Sequence, residues 1–130
     1  MFTVNDIINL KEVVYHQGSW DQHTSIAIEG SNRFVPDAST VKSYAKLLSD
    51  AISAHAPGKF HIAEKESGKS YSIFQLVDKS CIAGSFSSEK SSSNIEIFSS
   101  KKLDLEAVLK ITREFFNCEG LEVKTFSKVN

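Results

Sequence analysis

YSIFQLVDKSCIAGSFSSEKSSSNIEIFSSKKLDLEAVLKITREFF, from Tyr71 to Phe116, is the stretch whose reading decides the fold. Its first half is rich in β-branched and aromatic residues, its last third in helix formers. Tyr71 to Phe86 reads as one long strand or two joined ones, with a break allowed at Gly84. Glu89 to Ser93 is a polar turn rich in serine, and SSEKSSS (Ser87 to Ser93) reads as a loop. Asn94 to Ser99 carries Ile95, Ile97 and Phe98 and suits a strand. Asp104 then caps a helix. Its inward positions, Leu105, Val108, Leu109, Thr112, Phe115 and Phe116, recur at helical spacing, and Gly120 closes it.

Upstream, Lys59 to Lys65 reads as a strand and Glu66 to Ser70, around Gly68, as a turn. Before them, Pro36-Asp37-Ala38-Ser39 marks a helix start with Asp37 or Ser39 as cap. Val41, Tyr44, Leu47, Leu48, Ala51, Ile52 and His55 follow at helical spacing, and Pro57-Gly58 ends the run. Thr24 to Glu29 alternates, with Thr24, Ile26 and Ile28 on one face of a strand that Gly30, Ser31 and Asn32 break. Residues 1–19 are weakly patterned; Ile7, Ile8 and Leu10 suit a short helix or an arm that packs on the body. Downstream, Leu121, Val123 and Thr125 begin a final strand. The order is strand, helix, several strands, helix, strand. That order predicts one α+β domain over residues 20–130: a single antiparallel sheet with two helices packed on one face. The other face of such a sheet needs cover.

The bulk numbers narrow the function classes. The 130 residues suit one domain, and 41% hydrophobic with 24% charged residues is ordinary for a globular chain. A formal net charge of −1 gives no electrostatic reason to seek nucleic acid or an anionic membrane. No apolar run approaches the roughly 20 residues that span a bilayer. The start, MFTVNDIINLKEVVYHQ, lacks the basic and apolar regions of a signal peptide. Cys81 and Cys118 are isolated and read as reduced thiols, which predicts a cytoplasmic protein. His16, His23, His55 and His61 show no metal-ligand spacing, so no metal site is expected. His23 and His61 read as partly buried, hydrogen-bonded residues. There is no P-loop, no GxGxxG, no CxxC pair, and no serine in a Gly-flanked elbow.

An ordered series of residues does carry a resemblance. It runs through Tyr71-Ser72, Gln75-Leu76, Ser80, Ile82, Gly84, Phe86 and Glu89. It continues through Ile95, Ile97-Phe98-Ser99, Lys101, Asp104, Glu106 and Glu114-Phe115-Phe116. Trp20 followed by Thr24-Ser25-Ile26 matches a first strand, and the helix from Ser39 a first helix. With this spacing the chain resembles the small microbial S-adenosylmethionine decarboxylases over residues 20–126. The resemblance implies a proenzyme that cuts its own backbone and turns a serine into a pyruvoyl group, the electron sink for loss of CO₂. It places that serine at Ser80, with the cut after Lys79, and a processing serine at Ser72. Glu89 matches the carboxylate that accepts from the ribose hydroxyls. It also implies a homodimer with the sites near the interface, S-adenosylmethionine or a related nucleoside as ligand, and a place in polyamine (spermidine) synthesis.

The departures from that pattern carry the functional reading. Ser85 stands in place of the family's proton-shuttling histidine, and Ser100 in place of the cysteine that reprotonates the substrate carbon. Lys79 replaces a common glutamate. Ile62 stands in place of the phenylalanine that stacks on adenine, leaving Phe60 or Phe86 to substitute. A serine hydroxyl does not exchange protons near neutral pH as imidazole does, and acid–base groups contribute about 10²–10⁴-fold each. Two functions follow as expectations. One is a decarboxylase-like protein with impaired self-processing and weak or altered activity. The other is a non-processed homologue that binds S-adenosylmethionine, a related nucleoside or a protein partner. Cys81, next to Ser80 on a strand, should point to the opposite face.

Overall fold

Alternation in the first strand sends Thr24, Ile26 and Ile28 to one side, and all three are buried. The computed structural model describes residues 21–31, 37–65, 69–87 and 92–127; the expected arm or helix at residues 1–19 lies outside them. Within them the elements run β1 (Gln22–Ser31), α1 (Ala38–Ile52), β2 (His61–Lys65), β3 (Ser70–Val77) and β4 (Ser80–Ser87). Then come β5 (Ser92–Ser99), α2 (Leu105–Phe116) and β6 (Cys118–Ser127). All strand pairs are antiparallel, in the order β2-β3-β4-β5-β1-β6. Strands β2 to β5 form consecutive hairpins. β1 is inserted between β5 and β6, so α2 carries the chain past β1 to the far edge. This is the expected α+β architecture.

The registers align one inward-facing row across the sheet, buried at Ile73, Gly84, Ile95 and Ile26 and half-buried at its ends, Ile62 and Val123. Both helices cover that side. α1 buries Val41, Tyr44, Ala45, Leu48 and Ile52; α2 buries Val108, Thr112 and Phe116. The Tyr44 ring meets Phe116 (4.8 Å between centroids) and Phe86 (6.0 Å) edge-on, the favoured aromatic geometry. The Tyr44 hydroxyl lies 2.7 Å from Thr112 Oγ1, and Thr112 gives its own proton to the Val108 carbonyl at 2.8 Å. Tyr44 is therefore the donor. Burial raises its pKa and keeps it protonated.

Several boundaries differ from the sequence reading. The break in Tyr71–Phe86 falls at Asp78-Lys79, not at Gly84. Asp78 takes φ 53, the positive value a two-residue hairpin loop needs at its first position, and Asp tolerates it. Gly84 instead serves packing, since a Cβ there would lie 3.0 Å from the Phe86 ring and 3.3 Å from the Asn94 carbonyl oxygen. α1 starts on Asp37, whose Oδ1 accepts from Thr40 N at 2.8 Å and from the Thr40 hydroxyl at 2.9 Å. It ends at Ile52, before Pro57-Gly58, so His55 lies beyond it, and Leu47 is 45% exposed. α2 starts on Asp104 and ends on Asn117, whose left-handed backbone does the work assigned to Gly120. Gly120 pairs with Glu29 inside β6.

Candidate functional site

The tight β3–β4 turn is held by the end of β5. Val77 pairs with Ser80 across the two-residue loop, and Ser80 pairs with Ser99 on the other side. The chain leaving β5 then runs along the turn. Ser100 donates twice to the Lys79 carbonyl, from its N–H at 3.0 Å and its Oγ at 3.1 Å. Ser80, fully buried, donates from Oγ to Ser99 Oγ at 3.0 Å. Ser99 donates to the Lys101 carbonyl at 2.7 Å and accepts from the Lys101 N–H at 3.1 Å. Lys101 Nζ lies 3.3 Å from Asp78 Oδ2, and that bond holds the Asp78 carboxyl below its ordinary range.

This arrangement has a definite chemical capacity. Two donors on the Lys79 carbonyl oxygen would stabilise negative charge there if a nucleophile added to its carbon. The Ser80 hydroxyl is the adjacent nucleophile in the chain. Its proton, however, is directed at Ser99, whose own proton is committed to Lys101. At the cluster Asp78 and Lys101 are paired with each other. The cluster can polarise the peptide between Lys79 and Ser80, and among the described residues the Ser80 hydroxyl is given to Ser99 and not to a base.

The structure thus brings together Lys79, Ser80 and Ser100, and sets Ser72 and Ser85 apart from them. Ser72 and Ser85 face each other in register on the side of the sheet opposite the helices. Ser85 lies five residues along β4 from Ser80, about 17 Å at about 3.4 Å per residue, and on the other face. Ser72 is buried and Ser85 exposed, and neither hydroxyl makes a hydrogen bond among the described residues. Cys81 shares their face, opposite to Ser80. It is 2% exposed, and burial pushes its thiol up to about 12, which makes it inert near neutral pH.

The same face carries a pair that the sequence reading did not assemble. His23 Nε2 lies 3.1 Å from Glu96 Oε2. The His23 ring is stacked on Phe98 at 4.3 Å and on Phe126 at 5.4 Å. The available signal was parity: with Thr24, Ile26 and Ile28 turned inward, His23 must face the other way. Its partner Glu96 is 73 residues away, and no local rule supplies that pairing.

The expected ligand residues are dispersed. Phe86 is wholly buried under α1 and α2 and offers no surface to a ligand in this arrangement. Ile62, half-buried, packs on the core from the helix side. Phe60, also half-buried, lines a cavity at the β2 edge. Glu89 lies outside the described residues. Among the described residues no cluster of three His, Cys, Asp or Glu side chains could hold a metal, and no helix is long and apolar enough to cross a membrane.

No protein-family model matches this chain, and no curated protein sequence does. Among solved structures, it is similar to the adenosylmethionine decarboxylase from Aquifex aeolicus VF5. The TM-score is 0.61 at 11% identity, over 84% of this chain and 90% of that one. At that identity the likeness shows the fold, a six-stranded antiparallel sheet with two helices on one face.

Proposed function

We propose that this chain is an S-adenosylmethionine decarboxylase-like protein in which self-cleavage is impaired, so that it persists intact with weak or altered activity. The observation that carries the reading is the Lys79–Ser80 cluster. The peptide is polarised by Ser100 at 3.0 and 3.1 Å, yet Ser80 Oγ reaches only the hydroxyl of Ser99. Amide-to-ester rearrangement needs a proton moved from the nucleophile to the leaving nitrogen, and hydroxyl groups alone move it slowly. A pyruvoyl group, where formed from Ser80, would supply the ketone that draws electrons as CO₂ leaves. The cluster fits an unprocessed serine better than the group derived from it.

The mass of the purified protein tests this directly. A single intact chain is expected, before and after hydroxylamine, which would split an ester at Ser80. Two fragments divided between Lys79 and Ser80 would overturn the reading.

A second reading, binding without bond-breaking, is favoured by the exposed hydroxyl of Ser85, which has no hydrogen bond among the described residues, on the face opposite the two helices. In that reading the face meets S-adenosylmethionine or a related nucleoside, with Glu89 accepting from the ribose, and a second copy of the chain covers the remainder. Calorimetric titration with S-adenosylmethionine should show weak binding that Glu89→Ala reduces about tenfold, as loss of charge-assisted hydrogen bonds would. Absence of heat with the wild type would leave only the scaffold in common. Light scattering at micromolar concentration should return a dimer mass.

A further inference from the structure

A recess lies between α1 and the segment leading into β2. It is a cavity of about 190 Å³ lined by Lys42, Lys46, Ser49, Pro57, Phe60 and Gln75, with Ala45 at its floor. An apolar cavity of about 150 Å³ takes a benzene ring, so this one admits a single six-membered ring with small substituents.

Three features of the lining define what would be recognised. Gln75 is 7% exposed and sits on the helix-facing side of β3, in register with Ile82, which pairs in turn with Ile97. Its Nε2 donates to the Gly58 carbonyl at 3.0 Å, while Gly58 N–H donates to the Leu76 carbonyl at 2.8 Å. Its Oε1 accepts no hydrogen bond among the described residues. A buried amide oxygen left without a donor is uncommon in folded proteins and calls for a reason. Lys42 and Lys46 stand one turn apart on the exposed rim of α1, and neither has an acidic partner among the described residues. Ser49 has no proton left for a ligand acceptor, since its hydroxyl is given to the Lys46 carbonyl at 3.0 Å. Phe60 supplies a flat apolar wall.

We propose that this cavity binds a small aromatic carboxylate carrying a ring hydroxyl or N–H. The ring lies against Phe60, the donor reaches Gln75 Oε1, and the carboxylate faces the ammonium groups of Lys42 and Lys46. The buried Gln75 acceptor is the feature that the fold leaves unmet and it needs a donor; the two exposed cations at the rim favour an anion, and the wall favours a ring. The recess shares no residue with the Lys79–Ser80 cluster, although Gln75 lies on the same face of the sheet, paired with Ile82 two residues along β4 from Ser80.

NMR titration of the ¹⁵N-labelled full chain with 4-hydroxybenzoate tests it. Saturable shifts are expected at the Gln75 side-chain amide and at the backbone amides of Lys46, Ser49 and Phe60. Benzoate, which leaves the buried Gln75 acceptor unmet, and phenol, which lacks the charge-assisted contacts of the anion, should each bind about tenfold more weakly. Lys42→Gln with Lys46→Gln should weaken 4-hydroxybenzoate by at least the same factor. That double variant changes only exposed side chains, so it keeps the test decisive even if Gln75→Leu, which strips the Gly58 carbonyl of its donor, fails to fold. Shifts that do not saturate, that fall elsewhere, or that are unchanged in the double variant would overturn the proposal.

Discussion

At the β3–β4 turn, Ser80, Ser99 and Ser100 are tied to one another's strands and to Lys79 and Lys101 by hydrogen bonds of 2.7 to 3.1 Å. On the opposite face and about 17 Å along β4, Ser72 and Ser85 stand in register with no hydrogen bond among the described residues. The same residue type therefore plays two parts. In the turn, serine replaces what backbone pairing cannot supply, because the chain leaving β5 has no ladder left to join. At mid-sheet the backbone is fully laddered, and neither hydroxyl has a partner among the described residues. A hydroxyl whose proton is already committed is a poorer nucleophile, which is the physical ground for the proposed absence of cleavage at the turn.

The largest expected effect separates the two regions by stability. Ser99→Ala removes the acceptor for Ser80 and for Lys101 N–H and the donor to the Lys101 carbonyl. It should cost about 1–3 kcal/mol, the usual penalty for leaving buried polar groups unmet. Ser85→Ala should stay within about 0.5 kcal/mol. Urea unfolding of both variants breaks the comparison if the two losses are alike.

Alkaline titration sharpens it on the helix-free face. An unfolded Cys81 thiol ionises near 9, whereas burial holds the folded one up to about 12. Over that window the unfolded chain has lost a proton that the folded chain keeps, so stability falls as pH rises from 9 toward 12. Cys81→Ala should flatten the first part of the fall. The buried Tyr44 hydroxyl acts in the same direction at higher pH and is unaffected by the substitution. An identical alkaline profile in Cys81→Ala would mean that the thiol is wet.

Ser72→Ala is expected to be neutral or slightly stabilising, because it removes a buried hydroxyl that has no partner. A loss above about 1 kcal/mol in the isolated chain would reveal a partner and erase the contrast with the turn.

The smallest effect is on the acid side. Lys101 holds the Asp78 carboxyl below its ordinary value, so the pair's contribution is present above the unfolded value of 3.8 and is lost as pH falls through the folded one. The pair is solvent-facing and screened, so the difference between wild type and Asp78→Asn should be slight at neutral pH and vanish in strong acid. A difference that grows on acidification would contradict the sign.

Much of this fold was legible before any coordinates. Alternation at Thr24, Ile26 and Ile28 and helical spacing from Val41 to Ile52 and from Leu105 to Phe116 each named an element and the face it buries. Asp37 and Asp104 were legible as caps because a carboxylate before a helix has one natural acceptor role. Where two residue types can perform one task, the reading failed. Asn117 rather than Gly120 takes the left-handed cap, and Asp78 rather than Gly84 takes the positive φ of the hairpin. Glycine is the default at such positions, but Asn and Asp reach them at modest cost, and only packing around Gly84 shows why it was placed for space instead.

The candidate site divides along the same line. That Ser85 and Ser100 stand where a histidine and a cysteine were expected rests on the resemblance, not on residue types or spacing alone. Which residues meet could not be read from the sequence. Ser80 with Ser99, Lys79 with Ser100, and His23 with Glu96 are separated by 19, 21 and 73 positions. Their meeting depends on strand order and register. Local propensity sets the period of each strand and so the face of each side chain. The choice of neighbour, including β1 lying between β5 and β6, is made by burying all the inward faces at once under two helices.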